Sequence, residues 1–219
     1  MRAMILAAGR GERMGARTAN TPKPLLRVGG KYLIDYSIES LKRAGIKEIV
    51  INISYFADQI KSALGDGSRY GVSILYSEEK ERLETGGGIF QALPLLGDEF
   101  IVMSSDVITD FPLQQLSCDE NKLAHLIVVD NPYYHPRGDF GIRNGKLDLQ
   151  ATPTYTFGNI GLYRKELFAN CEPGHFRLTN VLMPAINAGK ITGEHYRGMW
   201  YNIGTPQELE QVNQQILAF

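Results

Sequence analysis

Ala3-Met4-Ile5-Leu6-Ala7-Ala8-Gly9-Arg10-Gly11-Glu12-Arg13-Met14 is the stretch on which the fold turns. Ala3–Ala7 is a short apolar run, the pattern of a buried strand. The glycines that follow open a loop whose backbone N–H groups can come close to an anion. Arg13 adds a planar fork of donors suited to phosphate. Two other glycine motifs fail on spelling. A P-loop needs Gly-Lys-Ser/Thr, which the chain lacks, and the dinucleotide fingerprint needs a third glycine where Met14 stands. A plain glycine turn has the same spelling, so this stretch alone is evenly balanced between turn and phosphate loop.

Outward from the loop, strand and helix signals alternate. Ile34, Ile38 and Leu41 recur at helical spacing before Gly45, where a helix C-cap belongs. Glu48–Ile53 reads as a strand. Phe56, Ile60 and Leu64 form a second helical stripe closed by Gly65, and Val72–Tyr76 is a third strand. Ile89–Leu93 reads as helix, and Phe100–Met103 and Leu123–Val129 as further strands. The second half changes character. Asn144-Gly145 between Asp139–Arg143 and Lys146–Leu149 is a two-residue hairpin signal. Tyr155–Tyr163 is strand-like, and Leu178 to Ile186 predicts a helix ending at Gly189. His195–Ile203 is read as a second hairpin around Arg197-Gly198. Thr205-Pro206 opens a last helix. The expectation is an α/β fold: a Rossmann-like, mostly parallel sheet flanked by helices, with a small antiparallel addition in the C-terminal half. Residues 1–219 are expected to form one domain, with a nucleotide-binding half at 1–130, a sugar-binding part at 131–204 and a C-terminal helix at 205–219.

The second chemical element is Thr21-Pro22-Lys23-Pro24-Leu25. A lysine between two prolines sits on a stiff segment, so little entropy is lost in holding its ammonium at one point. A surface lysine in a proline turn is the blander reading of Lys23 by itself, and the glycine loop reverses that preference.

Together, Gly-x-Gly-x-x-Arg after the first strand and Pro-Lys-Pro resemble the signature of the sugar-1-phosphate nucleotidylyltransferase (sugar-nucleotide pyrophosphorylase) family. Further matches follow in the family's order. Glu84-Thr85-Gly86-Gly87-Gly88 resembles its glycine-rich turn, and Ser105-Asp106 its Gly-Asp after a buried strand. Phe157–Tyr163 resembles its sugar-site strand, and Trp200–Thr205 its closing Trp-x-Asp-Val/Ile-Gly-Thr. The resemblance implies an enzyme that joins a nucleoside triphosphate to a sugar 1-phosphate with Mg²⁺ and releases pyrophosphate. It implies catalytic roles for Arg13, Lys23 and Asp106. Nucleotide contacts fall on Ala7, Ala8, Gly9, Gly11, Arg13, Lys23, Glu84, Thr85, Gly86 and Gly87. Sugar contacts fall on Ser105, Gly138, Asp139 and Asn159, and metal ligation on Asp106 and Asn202. Either Glu78 or Glu84 suits a base or ribose hydrogen bond.

The chemistry fits without the name. Both substrates are anionic, so catalysis is mainly charge neutralisation and in-line placement. Two departures stand out. Asn202 replaces the closing aspartate, and Leu149-Gln150-Ala151-Thr152-Pro153 lacks the Glu-Lys-Pro that reaches sugar hydroxyls in many relatives. Within the family, the short build and Leu83–Ile89 look most like the branch that uses UTP and N-acetylmuramate 1-phosphate. Arg137, Arg143 and Arg197 are the cations available to a lactyl carboxylate. Guanylyl transfer to mannose 1-phosphate is the alternative in class, and a catalytically silent nucleotide-sugar-binding subunit the alternative outside it. A glycosyltransferase would want Asp-x-Asp after the fourth strand, where Asp106-Val107-Ile108 stands.

Composition narrows the rest. The 23 basic and 24 acidic residues leave a net charge of −1, so no basic excess points to nucleic acid. No apolar run approaches the ~18 residues of a membrane span. Met1–Leu6 is too soon interrupted for a signal peptide, and Cys118 and Cys171 read as free thiols of a cytoplasmic protein. The four histidines form no ligand cluster. A monomer or small homo-oligomer is expected.

Overall fold

The computed structural model describes residues 1–217. In chain order the strands and α-helices are β1 (Arg2–Leu6), β2 (Arg27–Val28), β3 (Lys31–Tyr32), α1 (Leu33–Arg43), β4 (Glu48–Ile53), α2 (Ala57–Leu64), β5 (Ser73–Glu78), α3 (Glu84–Ala92), β6 (Glu99–Ser104), β7 (Val107–Thr109), β8 (Ala124–Val129), β9 (Phe140–Arg143), β10 (Lys146–Asp148), β11 (Thr154–Arg164), α4 (Thr179–Asn187), β12 (Ile191–Tyr196), β13 (Trp200–Asn202) and α5 (Pro206–Leu217).

One nine-stranded sheet, ordered β5-β4-β1-β6-β11-β8-β12-β10-β9, organises the molecule. Only β10 and β11 run against the other strands. The sheet is therefore mostly parallel, as the alternation of elements implies, and the antiparallel strands belong to this same sheet. Strand alternation divides the core. Ala3 and Ile5 of β1 pack with Ile34, Ile38 and Leu41 of α1 and Ile60 and Leu64 of α2. Met4, between them, faces the other way, against Ile89 of α3 and Leu182 and Ile186 of α4.

The structure departs from the sequence reading in three places. His195–Ile203 is not a hairpin. Its first part ends β12, which runs parallel to β8, and its last part, β13, pairs with β7 in a separate two-stranded sheet. The aromatic residues on either side of Gly198 serve different partners: Tyr196 donates to Asp110, and Trp200 Nε1 donates to the Gly158 carbonyl at 2.9 Å. Second, α3 begins at Glu84, five residues before its first apolar position, so Glu84–Gly88 is the opening of a helix and not a turn. Glycine lowers helix propensity, but packing of a neighbouring segment overrides it. Third, β7 carries too few residues to be legible as a strand and was not anticipated.

The Asn144-Gly145 hairpin forms as expected, with φ of 51° and 73° at the two positions. The last helix is capped as its sequence predicts. Thr205 Oγ1 accepts from the Glu208 N–H at 3.3 Å, and Glu208 Oε2 accepts from the N–H groups of Gly204 and Thr205 at 2.7 and 2.8 Å. A third, smaller core of Met14, Val28, Leu33, Ile108, Ile203, Leu209 and Val212 binds α5 to the region just after the glycine loop.

Candidate active site

A cleft of about 370 Å³ opens at the carboxyl ends of β1, β4 and β6, where open α/β sheets bind ligands. Its floor is Leu6–Arg13, the loop leaving β1. A Cβ added to Gly9 would meet nothing within 4 Å, so that part of the loop faces open space. Gly11 has φ +66°, and a Cβ there would lie 3.0 Å from Lys23 Cβ. The loop is thus pressed against the proline-framed lysine.

Lys23 opens a 3₁₀ turn between Pro22 and Pro24 and is 9% exposed. Its ammonium is ion-paired with Asp106 Oδ2. Asp106 follows β6, and its carbonyl accepts the Ile203 N–H at 2.9 Å. Asn202 precedes Ile203 and pairs with Val107 across β13 and β7. Lys23 and Asp106 come from two distant segments and meet beside the loop that carries Arg13, while Asn202, the other metal ligand expected from sequence, lies outside the cleft lining.

At the other end, the buried Glu79 lines the cleft. Its Oε1 accepts from Asn52 Nδ2 at 2.7 Å, and Asn52 Oδ1 accepts the Ala7 N–H at 2.9 Å. Burial pushes the Glu79 carboxyl above its ordinary range, while the bonds from Asn52 and Leu83 oppose the rise. Of the two glutamates weighed from sequence, Glu78 pairs with Lys61 at 2.5 Å outside the cleft lining, and Glu84 lines the cleft. Glu84 holds φ +58°, uncommon for a residue with a side chain, and pairs with Arg82 at 2.8 Å.

The family model of the nucleotidyl transferases matches residues 2–218. The chain belongs to the nucleotidyl transferase family. This nucleotidyl transferase is 44% identical to the N-acetylmuramate α-1-phosphate uridylyltransferase of Neisseria meningitidis serogroup B, over 96% of each chain. It is 28% identical to the mannose-1-phosphate guanylyltransferase catalytic subunit β of Xenopus tropicalis, over 95% of this chain and 62% of that one. A crystal structure of a Bacillus anthracis protein assigned as a glucose-1-phosphate thymidylyltransferase superposes with a TM-score of 0.86 at 22% identity, covering 100% of this chain and 96% of that one. That likeness establishes the fold.

Within the nucleotidyl transferase, the residues singled out from sequence separate into three groups. Ala7, Ala8, Gly9, Gly11, Arg13, Lys23, Glu84, Thr85, Ser105 and Asp106 line the cleft. Gly86 and Gly87 sit behind it. A Cβ on Gly86 would lie 2.5 Å from the Phe176 ring, and one on Gly87 would strike the Gly174 carbonyl, so these glycines make room for protein. The Gly87 N–H donates to the Phe176 carbonyl at 3.0 Å. The proposed sugar residues Gly138, Asp139 and Asn159 lie outside the cleft lining. Asp139 Oδ1 meets His135 Nε2 at 3.0 Å and its Oδ2 accepts the Phe157 N–H at 2.8 Å, tying the 131–139 loop to β11. Asn159 holds φ +57° at a bulge in β11.

Sequence reasoning missed Asn52, Glu79 and Arg82, which line the cleft of this nucleotidyl transferase, and Tyr134, which lies outside that lining. The Tyr134 phenol, on the 131–139 loop, is pushed above its ordinary range by partial burial and by the Glu208 carboxylate, against the opposing effect of Asn202 and Arg13. Nothing in its local sequence marks it. Asn52 was detectable in principle as the one polar residue inside an apolar strand, Glu48–Ile53.

Proposed function

We propose that the protein transfers a uridylyl group from UTP to N-acetylmuramate 1-phosphate and releases pyrophosphate. The observation that carries this reading is the meeting of Arg13, Lys23 and Asp106 at one cleft, in a chain 44% identical over nearly its whole length to an N-acetylmuramate α-1-phosphate uridylyltransferase. Residues 1–219 act as one nucleotidyltransferase domain, with 131–204 supplying the sugar side.

An oxygen of the sugar phosphate attacks the α-phosphorus, and the bond to the β-phosphate oxygen breaks. The pyrophosphate leaves with its electron pair. The negative charge gathers on phosphate oxygens, so the residues act by fixed charge. Lys23, held by its proline turn and by Gly11, brings its ammonium to the transferred phosphate. Arg13 offers its fork to the leaving pyrophosphate. Glu79 at the base end accepts from a base N–H such as the uracil imide.

The donor set fits Mg²⁺. Among the described residues no cluster of three or more His, Cys, Asp or Glu side chains could hold a metal ion unaided. One carboxylate, Asp106, with an amide, Asn202, would offer hard oxygen donors of the kind Mg²⁺ prefers. Mg²⁺ bound there supplies charge neutralisation at the α-phosphate. Asp106 would hold it, in exchange for its ion pair with Lys23, and Asn202 would add a neutral oxygen.

For the acidic sugar, Arg143 is engaged by Asp148 at 3.1 Å on the β9–β10 hairpin. Arg197, beside His195, and Arg137 are left as candidate partners. The test is pyrophosphate release over a matrix of UTP, GTP, CTP and dTTP against N-acetylmuramate, N-acetylglucosamine and mannose 1-phosphates. The expected maximum is UTP with N-acetylmuramate 1-phosphate, and release must require both substrates. A maximum with GTP and mannose 1-phosphate replaces this reading with its rival. No release with any pair leaves a binding subunit.

A further inference from the structure

The search for chemistry beyond these assignments leads to the far wall of the cleft, where Gly204 faces Arg13. Gly204 belongs to the turn between β13 and α5 and is remote in sequence from the glycine loop. A Cβ built on it would lie 2.9, 3.0 and 3.1 Å from Arg13 Nη2, Cζ and Nη1. Its three nearest neighbours all belong to that guanidinium. The planar group therefore rests against a bare Cα, at a separation that a methyl group would occupy.

The backbone of Gly204 gives no other reason for glycine, since its φ is not in the left-handed region. Nor can the backbone easily withdraw. The Ile203 N–H is bonded to the Asp106 carbonyl at 2.9 Å, and the Gly204 N–H to Glu208 Oε2 at 2.7 Å. Met14, next to Arg13, is buried in the small core with Ile203, Leu209 and Val212. Both supports are fixed, so the side chain of Arg13 is the part that must yield to a methyl group. Among the described residues Arg13 forms no salt bridge. A carboxylate seat would hold the guanidinium but neutralise it. A glycine seat orients it and leaves its charge and donors for phosphate.

We propose that Gly204 is a positioning residue that seats the Arg13 guanidinium, so that the segment leading into the C-terminal helix forms part of the phosphate-binding site. The inference rests on the phosphate-binding reading of the cleft. It assigns the turn before the last helix a role in ligand binding.

The test is a double-mutant cycle of Gly204→Ala and Arg13→Ala, read by calorimetric affinity for inorganic pyrophosphate with Mg²⁺ and by melting temperature. Gly204→Ala should weaken pyrophosphate about tenfold or more in the wild type and less than about twofold in the Arg13→Ala background. In an Arg13→Lys background its effect should also shrink, because an ammonium has no planar fork to displace. If Gly204→Ala melts lower, Arg13→Ala must restore it by removing the clash. Equal fold-losses in both backgrounds, wild-type affinity in Gly204→Ala, or a melting loss that persists in the double variant would each overturn the proposal. A wild type that binds pyrophosphate while Gly204→Ala binds equally well sinks this inference alone. A wild type that binds no pyrophosphate sinks the reading of the cleft with it.

Discussion

Two glycine-rich stretches, Gly9-Arg10-Gly11 and Gly86-Gly87-Gly88, look alike in sequence and end up in opposite situations. The first leaves space at Gly9, where nothing lies within 4 Å of an added Cβ, although Gly11 is packed on Lys23, and the loop floors the cleft. The second has its space filled by the protein. Gly86 and Gly87 are covered by residues 174–177, and a Cβ on Gly88 would lie 2.5 Å from Glu79 Oε1. A glycine thus signals a close approach, and the identity of what approaches is set elsewhere in the chain.

The largest expected effect tests the open stretch through the side chain packed on it. Lys23→Ala should lower kcat/KM by about 2–4 kcal/mol of transition-state stabilisation, the scale of one preorganised charge contact. Steady-state kinetics on a folded variant decide it. An unchanged rate would mean that the loop and its lysine do not face the phosphates. The filled stretch is tested by Gly87→Ala, whose methyl meets a backbone carbonyl that cannot rotate away. It should cost at least about 2 kcal/mol of stability in urea unfolding. Gly9→Ala, with open space, should stay within ~0.5 kcal/mol of wild type yet lower the rate, because the methyl narrows the ligand's approach. If the two alanines destabilise equally, the contrast between the stretches is false.

The smallest effect concerns the acid behind Gly88. Burial raises the Glu79 pKa on folding, so its neutral form is the one the fold favours. Relative to the unfolded chain, this contribution is fully present below the ordinary carboxyl range and is lost as pH rises through the raised value. Glu79→Gln should therefore melt a few degrees above wild type near neutral pH, with the gap closing in acid. A gap that does not change with pH would show that Glu79 titrates alike in both states.

Much of the candidate cleft was legible because its sequence is local. The loop after β1, the Pro-Lys-Pro turn and the aspartate after β6 each carry their geometry in adjacent residues, and each lines the cleft. The sugar side was less so. Asp139 was singled out for hydroxyls, and its Oδ1 meets His135 of its own loop while its Oδ2 accepts the Phe157 N–H of β11. A carboxylate reads the same in sequence whether it serves a ligand or a backbone N–H.

The sequence by itself determined the alternation of strands and helices, the hairpin at Asn144-Gly145, the capped start of α5 and the family. These follow from backbone preferences, periodicity and short-range hydrogen bonds. Only the tertiary structure decided that β11 lies between β6 and β8, that Glu79 and not Glu78 turns into the cleft, and that Gly204 lies against Arg13. Those depend on which surfaces pack together across long stretches of chain. A contact between residues 13 and 204 leaves no trace in the neighbours of either.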